Sequence, residues 1–452
     1  MVKKWEFCKP DEEKVLQVAK ENNISDLLAK ILVGRGFSEK EKIHKYLYPQ
    51  IEDLNDPFLY KGMDTAVDTI INACKNKDKI TIYGDYDVDG ITSTAVLEKF
   101  LTEIGADVCH YLPNRLEEGY GLNNDAIKKI ADDGTKLIIT VDCGISAYEE
   151  VEYAKTLGLN VIVTDHHECP EKIPEAIAVI DAKRFDNTYP FNQLAGVGVT
   201  FKLIHALAIK LNLDRKSYLK YIDIVALGTV ADIVPLVDEN RIIVNYGLIL
   251  MRQTRNVGLQ ALIKASGFVS IKSTTISFGI APRINACGRM GKADLALRLL
   301  LTNDPNEAEQ IALELNAINR ERQTVEKSIL ESAISLIEKD RLYENDVIVV
   351  ASYNWHHGVI GIVASKIVEM YYKPTILICL EDSVGKGSGR SISGFDLHGA
   401  LSKCDDLLLK FGGHEMAIGL SISEENIPKF YERLLEIAKD SNIKELYPVV
   451  KV

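Results

Sequence analysis

Short apolar runs recur along the first half of the chain, and polar residues follow each of them. The runs are rich in β-branched side chains and comprise Ile80–Tyr83, Leu137–Val141, residues 161–164 and the segment AIAVIDA. After the first run, Val96, Phe100 and Ile104 recur at the four-residue spacing of an amphipathic helix. Strands that alternate with helices in this way predict an α/β fold with a parallel sheet covered on both faces.

The polar residues beyond these runs are carboxylate or imidazole groups. They are Asp85, Asp87 and Asp89 after the first run, Asp142 after the second, and Asp165, His166 and His167 after the third. Parallel α/β sheets bind ligands beyond the carboxyl ends of their strands, at a switch in strand order, so we expect these side chains to meet. Neighbouring carboxylates repel one another unless a cation lies among them, which predicts a metal site. Three unrelated solvated turns are the alternative.

Two further groups extend the candidate site. Asp232 stands in the apolar stretch YIDIVALGTVADIVPL, where an unpaired carboxylate is costly to bury. A cation ligand is therefore one role for it, and a helix cap is the other. Basic residues gather with Asn285 and Gly288 in APRINACGRMGKADLALR, namely Arg283, Arg289, Lys292 and Arg298. This composition suits phosphate contacts, although the start of a solvated helix has a similar one.

A long polar helix is predicted in the second half of the chain. The pattern runs from about Asn306 to Asp340 with an apolar stripe, and at about 1.5 Å per residue it would span about 50 Å. We place a domain boundary there. The predicted segments are a mostly helical one (1–78), a first α/β domain (79–305), the connecting helix (306–340) and a smaller α/β domain (341–452).

The smaller domain carries its own candidate residues. His356, His357 and Gly358 precede a predicted helix, whose N-terminus suits an anion. The run VGKGSGRSISGFD, which includes Lys386, Ser388 and Arg390, lacks the residue order of a nucleotide P-loop. It predicts either a phosphate contact or a flexible hairpin. His414 follows two glycines, which predicts a position in a turn.

Composition narrows the class of protein. The chain has 452 residues, 46% of them apolar, and its eight cysteines form no C-x-x-C pair, so neither a zinc site nor a disulfide framework is predicted. The start lacks a signal-peptide core and no apolar run is long enough to cross a membrane, which predicts a cytoplasmic protein. The net charge of −12 argues only weakly against a nucleic-acid partner, because bound cations would cancel acidic charge locally.

These motifs together resemble a known family. The segments DYDVDG, VDCG, TDHH and GTVADIVPL resemble, in order, the four signature motifs of the DHH phosphoesterases, with Asp165, His166 and His167 as the DHH triplet. The segments PNRLEEGYGL, APRINACGRMG, WHHGVIGIVASK, GSGRSISGFD and FGGHEMAIG are further similar to the RecJ family of bacterial single-strand-specific 5′→3′ DNA exonucleases. The likeness extends over nearly the whole chain.

The resemblance implies a fold and a set of roles. It implies a DHH domain, a connecting helix and a DHH-associated domain, with the active site in the cleft between the domains. It implies two Mn²⁺ or Mg²⁺ ions held by Asp87, Asp89, Asp142, His166 and Asp232. Asp85, Asp165 and His167 would support catalysis, as would His357 and His414 facing the substrate. The 5′-phosphate of the strand would be bound by Arg115, Arg289, Ser388 and Arg390, beside Arg283 and Asn285.

The implied partner is single-stranded DNA with a 5′ end. The protein is implied to act as a monomer and without a membrane. Single-strand-binding protein and a helicase are further implied partners. Two departures from the family pattern stand out. Many relatives have a histidine ligand where this chain has Tyr83, and many continue into an oligonucleotide-binding domain, whereas this sequence ends at Val452.

Three other functions fit part of the pattern. One is a DHH phosphoesterase acting on short RNAs, cyclic dinucleotides or polyphosphate. Another is a haloacid-dehalogenase phosphatase, because Asp87-Val88-Asp89-Gly90 resembles its D-x-D opening, although that family needs no DHH motif. The third is a replication or repair scaffold without catalysis, which would be expected to lose acidic ligands that this chain retains.

Overall fold

The computed structural model describes residues 3–115, 117–439 and 447–451. The chain divides into two compact units. The N-terminal unit is Asp11–Asn319, and the C-terminal unit combines Arg320–Val452 with Met1–Pro10.

Twelve strands lie within the described residues. They are β1 (Lys4–Glu6), β2 (Ile80–Tyr83), β3 (Val108–Tyr111), β4 (Leu137–Val141), β5 (Asn160–Thr164), β6 (Ala178–Ile180), β7 (Ile348–Ser352), β8 (Thr375–Glu381), β9 (Val384–Arg390), β10 (Leu408–His414), β11 (Ala417–Ser423) and β12 (Val449–Lys451).

The same residues form nineteen α-helical segments. They are α1 (Glu12–Asn22), α2 (Asp26–Gly34), α3 (Lys40–Leu47), α4 (Met63–Asn76), α5 (Val88–Glu103), α6 (Asn124–Asp132), α7 (Tyr148–Thr156), α8 (Gly196–Lys210), α9 (Lys216–Leu219), α10 (Ile222–Ala231), α11 (Asp238–Met251), α12 (Val257–Ser266), α13 (Ser273–Thr275), α14 (Ala281–Arg289), α15 (Ala293–Leu301), α16 (Pro305–Lys339), α17 (His357–Tyr371), α18 (Leu397–Ser402) and α19 (Ile427–Lys439).

The N-terminal unit is built on a five-stranded parallel sheet in the order β3-β2-β4-β5-β6. The chain leaves β2 toward β3 on one side and then returns to β4 on the other, so the strand order switches between β2 and β4. The predicted α/β class and parallel sheet are confirmed. Ligands of such sheets bind at this switch, which fixes where the site must lie.

Helices α5, α8 and α10 are buried in the core that covers one face of this sheet. Every residue of α10 from Ile222 to Val230 is buried, as expected of a helix that is apolar on all sides. We predicted α5 to follow the DYDVDG motif, but it begins inside the motif at Val88 because the Asp87 carboxylate caps its first turn.

A buried ion pair joins α8 and α11 to the segment before α4. Lys202 Nζ lies 2.9 Å from the Glu239 carboxylate, and both side chains are fully buried. The pair is completed by the Asn55 backbone and by the Tyr189 hydroxyl, which donates to Glu239 at 2.5 Å. These hydrogen bonds are what make a buried charge tolerable.

The C-terminal unit contains a mixed sheet in the order β10-β11-β9-β8-β7, in which only β7 and β8 are parallel. The glycine run was predicted to form either a phosphate contact or a flexible hairpin. Its first part, Val384–Arg390, is β9, which forms an antiparallel hairpin with β8 and also pairs with β11. A Cβ at Gly385, Gly387 or Gly389 would lie 2.6–2.8 Å from an isoleucine or leucine side chain. The glycines make room for the core, while the alternate residues carry the polar side chains. Separately, β1 pairs in parallel with β12.

The predicted long helix is α16, 35 residues in length, and it starts and ends within one residue of the predicted limits. The division between the two units falls inside it. Among the described helices, none has the length and hydropathy needed to cross a membrane.

The buried pair provides a test of this packing. We expect Lys202→Met to lower the free energy of unfolding by about 3–5 kcal/mol, because it leaves the Glu239 carboxylate buried without its cation. The control is Lys210→Met on the same helix, whose exposed partner Asp68 lies 2.9 Å away. That exposed pair should cost at most about 1 kcal/mol in urea unfolding. Equal losses for the two variants would contradict the proposed importance of burial.

Candidate metal centre

The carboxyl ends of β2, β4 and β5 bring the predicted ligands together. Asp85, Asp89, Asp142 and Asp165 are each at most 4% exposed, although they come from three strands and a helix start. The switch in strand order lies between the first two of these strands. The sheet topology therefore produces the convergence that the sequence predicts.

Backbone amides hold two of these carboxylates in place. Asp87 Oδ1 accepts hydrogen bonds from the amides of Asp89 and Gly90 at 2.8 and 3.1 Å, in the first turn of α5. The Asp89 carboxylate accepts from the amides of Gly196 and Val197 at 2.6 and 2.9 Å, at the start of α8. Helix N-termini stabilise anions in this way.

A glycine is required at position 196 because α8 and the end of β4 approach each other closely there. A Cβ at this position would lie 2.6 Å from Asp142 Oδ1 and 2.7 Å from the Asp142 Cβ. Any side chain would displace that carboxylate. The absence of one lets α8 approach β4 closely enough to hold Asp89 while Asp142 stays in the cluster.

His166 lies at the centre of the cluster. Its Nε2 is 3.1 Å from Asp142 Oδ1 and 3.8 Å from both Asp89 Oδ2 and Asp232 Oδ2. Burial lowers the pKa of His166 to about 4, so the ring is neutral near pH 7. A neutral imidazole surrounded by carboxylates has the donor atoms of a transition-metal site.

Asp165 orients the DHH triplet without facing the centre of the cluster. Its Oδ1 accepts from the His166 amide at 2.7 Å and lies 2.7 Å from His167 Nδ1, while its Oδ2 accepts from the Ile145 amide at 2.9 Å. Burial opposes ionisation of Asp165, but His167 and these hydrogen bonds outweigh it and lower the pKa of the carboxyl. Asp165 therefore stays charged and in turn raises the pKa of His167 against the effect of burial.

Four other carboxyl groups of the cluster have raised pKa values, so the metal-free fold disfavours their ionised forms. Burial, followed by the charge of a neighbouring aspartate, raises the pKa of Asp85, Asp89 and Asp142. The same causes raise the pKa of Asp232 to about 7. Within the described residues, Asp85 Oδ1, Asp142 Oδ1 and Asp232 Oδ2 are buried and accept no hydrogen bond.

These oxygen atoms fit divalent cations. Three groups of donor atoms each lie within 4.8 Å of one another: Asp85 with Asp87 and Asp142, Asp89 with His166 and Asp232, and Asp142 with His166 and His167. Carboxylate oxygens with one or two imidazoles suit Mn²⁺, and the carboxylates alone suit Mg²⁺. The set contains all five predicted metal ligands and adds Asp85 and His167.

A cavity of about 250 Å³ opens on the cluster, and Asp85, Asp87, Asp142, His167 and Asp232 form part of its wall. Arg115 and Arg289 line it, together with Asn285, Tyr86 and Tyr120. We call this the end cavity. The Arg115 guanidinium lies 5.0 Å above the Tyr86 ring, a cation–π contact that orients it.

Helix α14 is anchored tightly against the acidic loop. Asn285 Oδ1 accepts from the Val88 amide at 3.2 Å, and a Cβ at Gly288 would lie 2.3 Å from the Tyr86 carbonyl oxygen. The glycine therefore brings the end of α14, with Arg289, against the end of β2. Of the three polar candidates that lie within α14, Asn285 and Arg289 line the end cavity and Arg283 does not.

Two other residues singled out in the sequence, Arg283 and Tyr83, line neither the end cavity nor the acidic cluster. The Arg283 guanidinium donates to Asn316 Oδ1 at 3.0 Å and to the Gly279 carbonyl at 2.5 Å, away from the end cavity. Its role in substrate binding stays a prediction. Tyr83 is fully buried, donates to the Gly121 carbonyl at 3.0 Å and provides no ligand to the cluster.

Four predicted residues lie in the C-terminal unit and come together at one end of its sheet. Register aligns Arg390, Ala417 and His414 in one row across β9, β11 and β10. The first turns of α17, which begins at His357, approach β9 so closely that a Cβ at Gly361 would lie 2.9 Å from Ser388 Oγ. Arg390 also donates to Ser388 Oγ at 3.2 Å.

Three residues near the cluster were missed by the sequence reasoning. Tyr120 lies in the GYGL segment, and its hydroxyl is 3.4 Å from both the Asp142 carbonyl and His167 Nδ1. Tyr86 stands between two of the predicted aspartates. Asp181 follows β6 as the other aspartates follow their strands, and burial raises its pKa to about 7. The same strand-end rule would have found it.

Comparisons with known proteins agree with this geometry. The DHH family, N-terminal domain, matches residues 79–229, and the DHHA1 domain matches residues 344–440. The chain is 44% identical, over 99% of its length, to the single-stranded-DNA-specific exonuclease RecJ of Bacillus subtilis and spans 57% of that relative. It is 39% identical to the Salmonella typhimurium RecJ, over 84% of this chain and 69% of the relative.

A solved structure is similar over the same extent. The crystal structure of RecJ in complex with Mn²⁺ from Thermus thermophilus aligns with a TM-score of 0.86 at 34% identity. The alignment covers 99% of this chain and 64% of that one.

The cluster predicts how stability depends on pH. Asp85, Asp89, Asp142 and Asp232 have raised pKa values, so the folded metal-free protein binds more protons than the unfolded chain. His166 and His205, with pKa values that burial lowers to about 4 and about 3, act in the opposite direction below about pH 6.5. Because these four carboxyls and Asp181, whose pKa is about 7, outweigh the two imidazoles, stability in EDTA should fall by about 2–4 kcal/mol between about pH 5 and about pH 8.

Saturating Mn²⁺ should restore this stability at the higher pH, because the ion binds the folded state and replaces the protons. The measurement is urea unfolding at both pH values with EDTA or Mn²⁺. Stability that rises with pH in EDTA would contradict the assigned electrostatics.

Proposed function

Because the chain belongs to the RecJ family of DHH phosphoesterases, we propose that it is a metal-dependent exonuclease that removes mononucleotides from the 5′ end of single-stranded DNA. The observation that carries this proposal is the adjacency of two features. One is an acidic cluster fit for divalent cations, and the other is a cavity with two arginines within the same unit. A phosphodiester next to a strand end needs both.

Asp87, Asp89, Asp142, His166 and Asp232 would hold two Mn²⁺ or Mg²⁺ ions. Such ions, when bound, supply an activated water at neutral pH and offset the charge on the phosphate oxygens. The chain itself holds the ligands in position for these ions. Amides of α5 and α8 hold Asp87 and Asp89, and burial keeps His166 neutral.

Asp85 and the pair Asp165–His167 would support this arrangement. Asp165 fixes the His167 ring at 2.7 Å and keeps it able to carry a proton beside the reacting phosphate. No side chain of this set needs to act as a nucleophile, since a water molecule attacks phosphorus.

The end cavity would select a terminal phosphate. A terminal phosphate carries more charge than an internal one, and Arg115 and Arg289 can bind it through paired charge-assisted hydrogen bonds. Binding there would set the first phosphodiester against the acidic cluster. In the C-terminal unit, Ser388 and Arg390 would contribute phosphate contacts, and His357 and His414 would face the substrate.

The proposal also covers the roles of the two domains, the oligomeric state, the location in the cell and the protein partners. We take residues 79–305 as the catalytic domain and residues 341–452 as the substrate-binding domain. Monomeric action in the cytoplasm stays a prediction, as does cooperation with single-strand-binding protein and a helicase. A DHH phosphoesterase for short RNAs or cyclic dinucleotides is the alternative that the assay below distinguishes.

The decisive assay uses single-stranded DNA labelled at either end, with Mn²⁺. We expect mononucleotides to be released from the 5′ end, with little cleavage of duplex DNA, short RNA or cyclic dinucleotides. Asp142→Asn should abolish cleavage without lowering the metal-free melting temperature, since the amide relieves repulsion in the cluster. Asp68→Asn, on the exposed surface, is the matched control. Release from the 3′ end would overturn the polarity, and preference for dinucleotides would favour the alternative.

The end cavity makes a separate prediction. Arg289→Gln should reduce the preference for a 5′-phosphorylated strand over a 5′-hydroxyl strand by about tenfold or more, because one charge-assisted contact is lost. The control is Arg298→Gln, whose guanidinium pairs with Glu307 at 2.6 Å. Steady-state kcat/KM on both strands measures the effect. Equal losses on the two strands would exclude this arginine from end recognition.

A further inference from the structure

A second cavity adjoins the acidic cluster, and neither arginine of the end cavity lines it. It measures about 350 Å³, within the range of small-ligand pockets, and we call it the downstream cavity. Its lining combines the ionisable residues His166, Glu168 and Lys183 with the amides Asn192 and Gln193 and the apolar residues Leu194, Val234 and Pro235. His166 is shared with the acidic cluster, and Val234 follows the ligand Asp232 by two positions.

The chain passes from one site to the other through a strained residue. Ile233 has φ 64, a left-handed conformation rarely adopted by β-branched residues, and it is 85% exposed. This sharp turn allows Asp232 to reach the cluster while Val234 and Pro235 form the wall of the cavity. The two sites are therefore contiguous.

Buried polar groups fix the walls of the downstream cavity. The fully buried Asn240 donates from Nδ2 to the carbonyls of Gln193 and Pro235, at 2.6 and 3.1 Å, and so ties two parts of the wall together. The Asp181 carboxylate accepts from the Lys183 amide at 2.7 Å and holds the backbone of the lysine. The cavity is thus formed before any ligand binds.

The chemistry of the walls suits one nucleotide with its following phosphate. Lys183 supplies a cation, and its Nζ lies 3.0 Å from the Glu168 carboxylate, a group that is 77% exposed and able to turn to solvent. Asn192 and Gln193 are exposed amides, which can donate to and accept from a base or sugar. Val234 and Pro235 add an apolar surface for the ring.

The two cavities meet at the acidic cluster. Asp232 lines the end cavity and His166 lines the downstream cavity, and Asp232 Oδ2 lies 3.8 Å from His166 Nε2. A strand whose terminal phosphate meets the arginines, and whose first phosphodiester meets the cluster, would continue into the downstream cavity.

We propose that the downstream cavity binds the nucleotide on the 3′ side of the scissile bond, with Lys183 contacting the next phosphate of the strand. This inference rests on the proposed function and adds to it a binding site for the part of the strand that remains after the cut. Lys183 is a substrate-binding residue in this arrangement, and Asn240 and Asp181 are positioning residues.

The test combines a lysine substitution with the removal of one phosphate charge. Two 5′-phosphorylated single strands are compared, identical except that one carries a neutral methylphosphonate at its second linkage. The rate measured is release of the first mononucleotide. In the wild-type chain the neutral linkage should lower kcat/KM by about tenfold, the effect of losing one charge-assisted contact. In Lys183→Met the same modification should have less than about a twofold effect, as a double-mutant cycle requires of interacting groups.

Two further variants separate contact from fold. Lys183→Arg should restore sensitivity to the neutral linkage, and Lys210→Met, which removes another ion-paired lysine of the unit, should behave as the wild-type chain does. The assignment would be overturned if the neutral linkage lowered kcat/KM equally in the wild-type chain and in Lys183→Met. It would also be overturned if the neutral linkage changed kcat/KM in neither of them. A wild-type chain that cleaves neither strand would instead overturn the proposed function, and the cavity assignment with it.

Discussion

Repulsion among buried carboxylates is the constraint around which the N-terminal unit is organised. Asp85, Asp89 and Asp142 lie almost entirely out of solvent, and burial raises the pKa of each. Around Asp89 the protein supplies backbone amides, which carry only partial positive charge. Divalent cations can relieve the repulsion that remains. The repulsion among these carboxylates therefore destabilises the metal-free fold and also provides affinity for ions.

This arrangement depends on helix starts as much as on strand ends. In a parallel α/β sheet the helix that follows a strand begins near the carboxyl edge, so its amides point toward the crevice. Asp87 caps α5 and Asp89 reaches the first amides of α8, so each helix start is satisfied by a carboxylate of the cluster. The absence of a side chain at Gly196 lets α8 come this close. Metal ligands and helix caps are therefore partly the same residues.

The sequence was sufficient to predict the sheet and the convergence of its ligands, because both follow from local pattern. Apolar runs of four or five residues mark buried strands, and parallel topology brings their ends to one edge. The limits of α16 were predictable for the same reason, since a helical stripe of that length has one period throughout.

What could not be predicted depends on contacts between distant segments. The glycines of β9 could equally have formed a loop, and only the isoleucine and leucine side chains of neighbouring strands explain why they form a strand. Arg283 and Arg289 have the same chemistry and lie six positions apart, yet Asn316 engages the first while the second lines the end cavity. Asn240 offered no signal at all, because its role is to join two carbonyls from separate segments.

The distribution of charge explains how an acidic chain can accept a polyanion. The net charge of −12 is spread over 452 residues, whereas a strand would meet only the groups that line its path. Along that path Arg115 and Arg289 line the end cavity and Lys183 lines the downstream cavity. Because surface charges are screened beyond about 8–10 Å at physiological salt, these cations, together with ions bound at the cluster, would outweigh the distant acidic surface. The carboxylates that would repel a phosphate are the same ones that would recruit the ions to attract it, so under the proposed function the strand would bind only after the ions have filled the cluster.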